Sequence, residues 1–314
     1  MKKILIYLKT HLKEDFNAGF YLFVTIFLTI SFWINYTSGL KKILNDESGN
    51  EAELLFYYFL FYALPYYTTS LAYALFYKKS AFLKSPAYWG VSLFLLVVLT
   101  LNRSALSIST EFVRALKVDE HVFHFVRLCV LNLVRPVLMI LPVAVFWWLF
   151  DRSRQPFYGM TREGFAYGPY LVMILIMLPL IILASFQPSF LKTYPRYKPG
   201  SAELYWQVPH VATMLVFQMA YAMRFVSVEL FFRGFAIMAM PREMGRAVVM
   251  PMVALYAFWH FGKPLGEAVG SIFGSFILGV IALESRTILG GILVHIGVAI
   301  LMEWAAYVQL YVLR

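Results

Sequence analysis

Cysteine is almost missing: Cys129 is the only one in 314 residues, which excludes an internal disulfide and any cysteine-rich metal site. Charge is scarce too. Only 14% of the residues are Asp, Glu, Lys or Arg, against 61% hydrophobic ones and a mean hydropathy of +0.70. A chain so poor in charge cannot form a water-soluble globule of ordinary makeup. Internal repeats, low-complexity tracts and a soluble domain are also lacking. The net charge of +10 is spread over loop ends in twos and threes, and no basic block is interleaved with aromatics. That pattern excludes nucleic acid as a partner and fits anchoring at a membrane surface. What remains is an all-α protein, a polytopic transmembrane helix bundle whose solvent is the lipid bilayer.

A span needs ~20 apolar residues, and the chain offers many such windows. Residues 1–16 come first, with Leu5, Leu8, Leu12 and Phe16 as an apolar stripe and Lys2, Lys3, Lys9 and Lys13 as the charge, the pattern of a helix lying in the interface. The apolar run 18–36 is long enough to span and lacks a small-residue cleavage site, so it reads as the first transmembrane helix and not as a signal peptide. Further spans are expected at 54–77, where Pro65 would bend the helix, and at 88–101, 122–150, 169–186, 209–240, 247–260, 267–283 and 288–312. Lys78, Lys79 and Lys84 make their loop more basic than 37–53, which puts the N-terminus on the cytoplasmic side. Residues 209–240 would form a helix of about 48 Å at ~1.5 Å per residue, longer than one ~30 Å crossing. They form one long tilted helix or two shorter passes, giving about eight to ten spans in all.

Chemistry concentrates in the last third. No Pro or Gly interrupts 210–233, so Glu229 and Arg233 stand four residues apart on one helix face. An ionisable group at bilayer depth costs at least ~2.5–3.5 kcal/mol, so it survives by pairing, by facing a wet cavity or by doing chemistry. The bland account is an ion pair that locks the helix to its neighbours. His260, in Phe258-Trp259-His260-Phe261-Gly262, and His295, in the last helix, each have a bland account as packing residues. Taken together with Glu229 and Arg233 they are the set that a water-activating site needs: a base, a partner that fixes its charge, and polarising donors. Four costly groups on three helices are expected to converge on one polar cavity. A zinc alternative would use His260, His295 and a carboxylate, but no His-Glu-x-x-His helix supports it, and no cofactor is expected.

The order Glu229-x-x-x-Arg233-Gly234, then Tyr256-x-x-x-His260, then His295 resembles the CAAX prenyl protease and bacteriocin-processing family of intramembrane endopeptidases. That family's pattern is Glu-Glu-x-x-x-Arg, Phe-x-x-x-His and His-x-x-x-Asn/Asp on three helices. The stretch 270–279, with its glycines, looks like the small-residue helix packed between the two histidine helices. The likeness runs from about residue 205 to 308, so residues 1–200 are expected to be transmembrane helices without a recognised motif and 201–314 the protease-like core. Two positions depart from the pattern: Val228 stands where the first glutamate would, and Ala299 where the Asn/Asp would. The resemblance implies an integral protein of the bacterial cell (inner) membrane that hydrolyses a membrane-associated, prenylated or leader peptide. Glu229, Arg233, His260 and His295 would be its catalytic residues, with Glu229 taking a proton from water, His260 holding that water and His295 donating to the oxyanion. The two departures imply the alternative, a non-catalytic relative that binds membrane peptides or acts as a scaffold. A small-solute or proton-coupled transporter is the third reading, opposed by the missing repeat.

Overall fold

The computed structural model describes residues 1–46 and 49–313. Among the described residues there is no strand, and the chain is a succession of helices. They are α1 (Lys2–Asp15), α2 (Ala18–Ser38), α3 (Leu40–Asp46), α4 (Glu51–Tyr77), α5 (Pro86–Leu101), α6 (Ala105–Ala115), α7 (Glu120–Phe146) and α8 (Tyr167–Ser185). After them come α9 (Pro188–Thr193), α10 (Ser201–Trp206), α11 (His210–Glu229), α12 (Ala236–Met238), α13 (Val249–Trp259), α14 (Leu265–Ser285) and α15 (Leu289–Tyr311). Among the described residues seven stretches are long and apolar enough to cross a membrane: α2, α5 running on through α6, α7 with its π-helical end, α8, α11 through α12, α14 and α15. Large apolar side chains such as Met219, Leu183 and Phe273 point outward from them, as a protein solvated by lipid requires. This is an integral membrane protein.

Local signals place the boundaries. Asn17 caps α2 by accepting from the Phe20 backbone N–H at 3.0 Å, and Gly39 ends that helix with φ 69°, a left-handed turn that glycine adopts without strain. Asn50 caps α4 by accepting from the Glu53 N–H at 2.9 Å. The helix runs through Pro65. α4 is 27 residues long and rich in tyrosine, burying Tyr58, Tyr62, Tyr66 and Tyr73 inside the bundle, so it is an eighth long helix but a less apolar one.

One open alternative is resolved and one expectation changes. Residues 209–240 do not divide into two passes: α11 continues through a π-helical turn at Leu230–Phe235 into α12, one stretch of 29 residues from His210 to Met238. Residues 247–260 are not a span. α13 has only 11 residues, ~16 Å at the helical rise and about half of the hydrocarbon thickness. Every residue from Val249 to Phe258 is buried. The segment is apolar because protein surrounds it on all sides, α4 and α14 above all, and not because lipid does. Without it, and with α4 less apolar than the rest, the long helices number seven or eight among the described residues, at or below the low end of the eight to ten spans expected.

α1 packs on α14 and on the 3-10 turn Arg242–Val248. It turns Ile4, His11 and Asp15 inward, while Leu5, Leu12 and Phe16 remain exposed, so the apolar stripe seen in the sequence is free to face lipid. α11 lies between α7 and α15, and α15 packs in turn on α8. The core cluster that holds α13 also holds the aromatic residues of the π-helical turn, Phe231, Phe232 and Phe235. The site grows at this junction.

Candidate active site

Glu229 is the last residue of α11, and the π-helical turn begins at the next. Such turns are rare and concentrate at functional sites. Arg233 lies within this one, and Arg233 Nη1 forms an ion pair with Glu229 Oε1 at 3.1 Å, both side chains being almost wholly buried. The same oxygen accepts a hydrogen bond from Nδ1 of His295 on α15 at 2.7 Å. The guanidinium of Arg233 also sits 4.2 Å from the ring centre of Tyr256 on α13, a cation–π contact in a dry setting. Three helices are thereby joined by one carboxylate, one guanidinium, one imidazole and one phenol.

Glu229 Oε2, by contrast, has no hydrogen-bond partner. Gly291 makes room for it: a Cβ there would come within 2.5 Å of Oε2. The glycine on α15 lets the carboxylate lie against the helix backbone, and no polar group takes its place. Gly290 beside it leaves room for the Tyr170 ring, which would be 2.0 Å from a Cβ. Glu229 itself is 0% exposed.

His260 ends α13, and its Nδ1 lies 2.9 Å from the carbonyl oxygen of Tyr256. A carbonyl only accepts, so Nδ1 carries the proton and Nε2 presents a lone pair. The rings of His260 and Tyr256 are 4.3 Å apart between centres. On the other side Tyr256 Oη is 3.5 Å from Nε2 of His295, a long contact, and Phe225 packs 4.6 Å from the His295 ring. Tyr256 therefore stands between the two histidines.

The expected convergence takes a different form from one shared cavity. Glu229, Arg233 and His295 make one bonded cluster, and His260 joins it through Tyr256. Of the four, only His260 lines the cavity of about 390 Å³ that opens beside it, together with Trp259, Phe261 and Gly262. Glu267 and Glu303, the nearby acids, are used elsewhere. Glu267 pairs with Lys263 at 3.0 Å and accepts from Tyr194 Oη at 3.0 Å. Glu303 is buried and accepts the Arg196 backbone N–H at 3.1 and 3.0 Å. Val228 and Ala299 are both buried among apolar side chains, so the two departures present hydrocarbon to their surroundings.

Among the described residues, no three His, Cys, Asp or Glu side chains stand together as a metal-holding group, and the Nδ1 of His295 already donates to Glu229. The residues present do not fit the zinc set of two histidines and a carboxylate. Sequence reasoning missed Gly291, whose part depends on how closely α15 approaches α11, and the basic residues of the cavity. One of these, Arg224, carried a signal. It is an arginine inside the same apolar run as Glu229, and the cost of burying charge applies to it equally.

No curated protein matches the chain, and no solved structure matches it. Residues 209–301 do match a known family, described as type II CAAX prenyl endopeptidase, Rce1-like. The match begins at the cap of α11 and ends within α15, so it takes in Glu229, Arg233, Tyr256, His260 and His295 and leaves the first two thirds of the chain outside. Over 209–301, about a third of the chain, the sequence is thus similar to the Rce1-like type II CAAX prenyl endopeptidases.

Proposed function

We propose that the chain is an intramembrane endopeptidase that hydrolyses a peptide bond of a membrane-associated substrate, a prenylated tail or a leader peptide, with water activated by its glutamate and histidines. Residues 201–314 form the working core, and the preceding helices form its frame. The reading places the protein in the bacterial inner membrane with a cytoplasmic N-terminus. The observation that carries it is the Glu229–His295 hydrogen bond of 2.7 Å, set one tyrosine away from a histidine on the cavity wall. Glu229, sealed from solvent and bonded through one oxygen, fixes the tautomer and charge of His295, as a buried carboxylate does for a catalytic imidazole. This departs from the expectation that Glu229 itself takes the proton. The lone pair of His260 Nε2 is the acceptor for water in the cavity, and His295 with Tyr256 Oη supplies the polar groups for the developing oxyanion. No metal takes part.

Purified protein in detergent, incubated with a quenched-fluorescent prenylated peptide and with a leader-type peptide, tests the reading. H260A and H295A should each lose cleavage by ~10²-fold or more, the range that a positioned proton acceptor contributes. Cleavage at the wild-type rate in both variants would sink it. The second reading is a non-catalytic peptide-binding relative, and it rests on the two departures from the family's pattern, Val228 and Ala299. In that case wild type cleaves nothing, and V228E combined with A299N creates activity.

A further inference from the structure

The cavity beside His260 is strongly basic. Its walls include three arginines from separate elements: Arg135 on α7, Arg196 in the segment after α9, and Arg224 on α11. Among the described residues no carboxylate pairs with any of the three guanidiniums, and the Nε of Arg135 is buried without an acceptor. The same three arginines also line an adjoining chamber of about 60 Å³, along with Asn132 and Tyr221. The Arg224 guanidinium lies over the ring of Trp259, 5.6 Å away. Further round the larger cavity stand Lys41, Lys42, Arg103 and Lys263, with Asp46 as the one acid among the described residues. Lys263 already pairs with Glu267, and Arg103 donates to Asn45 at 2.8 Å while its own Nε lacks a partner.

So many cations in one partly dry space repel one another, and the effect shows at Lys41. Its Nζ donates to the carbonyls of Trp259, at 3.1 Å, and of Phe261, and burial pushes its pKa down to about 7, helped by Arg103, Lys263, Arg135 and Arg224. Arg135 and Arg224 are half-buried and Arg196 is exposed, and a native structure leaves a buried nitrogen such as Arg135 Nε without an acceptor only where something else supplies one.

We infer that this cavity binds a phosphate-bearing anion, gripped by Arg135, Arg196 and Arg224 with Lys41 and Lys42 around it. Chemistry favours phosphate over a single carboxylate. Planar guanidiniums match phosphate oxygens in bidentate pairs, three forks exceed what the two oxygens of one carboxylate accept, and a doubly charged group offsets more of the cationic excess that the described residues of the wall carry. A lipid headgroup and a soluble anion both carry such a phosphate, and the ligand class is the same in either case. The occupant lies in the cavity that His260 lines, so it borders the site proposed above without being needed for that proposal.

The test uses full-length protein in an uncharged detergent and a phosphate-free buffer. Inorganic pyrophosphate titrated by calorimetry should bind one per chain, and R135Q with R224Q should weaken it at least tenfold. Native mass spectrometry of protein taken from phosphatidylcholine nanodiscs with and without phosphatidic acid tests the lipid source, where one retained phosphatidic acid, lost in the same variant, is expected. Either result supports the proposal and names the source. Removing unpaired cations relieves repulsion, so the double variant should melt no lower than wild type, which separates lost binding from lost folding. The inference is overturned if neither probe binds, if both bind the double variant as well as wild type, or if a short peptide with a free C-terminal carboxylate binds through the arginines while its amide and both phosphate probes do not.

Discussion

Gly291→Ala isolates the geometry of the buried carboxylate. The added methyl would stand 2.5 Å from Glu229 Oε2 and 3.3 Å from its carboxyl carbon, whereas a carbon in van der Waals contact sits at ~3.5 Å. The carboxylate must then retreat by about 1 Å, since α15 is held by α8 and α11 on both sides. A retreat of that size breaks the 2.7 Å hydrogen bond from His295, a charge-assisted bond of the kind worth ~1.5–3 kcal/mol. A displacement of ~1 Å in a positioned group costs about 10²-fold in rate. Stability should move much less, because alanine in a helix interior is favoured over glycine by ~0.5–1 kcal/mol, and this offsets part of the lost bond. Gly297→Ala is the control. Its methyl meets only the Ile174 side chain, at 2.7 Å from Cδ1, the far end of a flexible group. The assay is cleavage of the prenylated fluorogenic peptide alongside a melting curve. Gly291→Ala should lose about 10²-fold in rate with a melting temperature within a few degrees of wild type, and Gly297→Ala should keep its rate. Full activity in Gly291→Ala would refute the idea that the Glu229–His295 bond organises the site.

Gly234→Ala should act on folding instead: its methyl would fall 2.7 Å from the Tyr158 backbone carbonyl oxygen, which cannot rotate away, so a large drop in melting temperature or in yield is expected, and wild-type stability would show that the π-helical turn can shift. Lys41 predicts a pH dependence. Its pKa falls from 10.5 to about 7 on folding, so its contribution to stability is full above 10.5 and is lost as pH falls through 7; the melting temperature should rise from pH 7 toward 10 in phosphate-free buffer, and Lys41→Met should flatten that rise in part, since Lys263, lowered to about 8, acts in the same direction. An unchanged slope in the variant would remove Lys41 from the account. Elemental analysis of purified protein should find no stoichiometric zinc, and one zinc per chain that disappears with His260→Ala would restore the metal reading.

The amino-acid sequence by itself determined the class, the long helices and the charged pair. Composition and helical period are local properties, and lipid demands helices whose backbones are satisfied internally, so the windows at 18–36, 169–186 and 288–312 return as α2, α8 and α15 within a few residues. Glu229 and Arg233 meet because four residues along a helix always meet. The order of Glu229, His260 and His295 was also legible, and with it the likeness to the family that 209–301 matches. Tertiary structure alone decided the rest. An apolar window of fourteen residues looks the same whether lipid or protein surrounds it, so only packing revealed that α13 is a short buried helix. The carboxylate's partner on α15, the glycine that makes room for its second oxygen, and the gathering of Arg135, Arg196 and Arg224 from three separate elements depend on which helix faces lie together. Helical periodicity says which residues share a face, but not which face of another helix it meets.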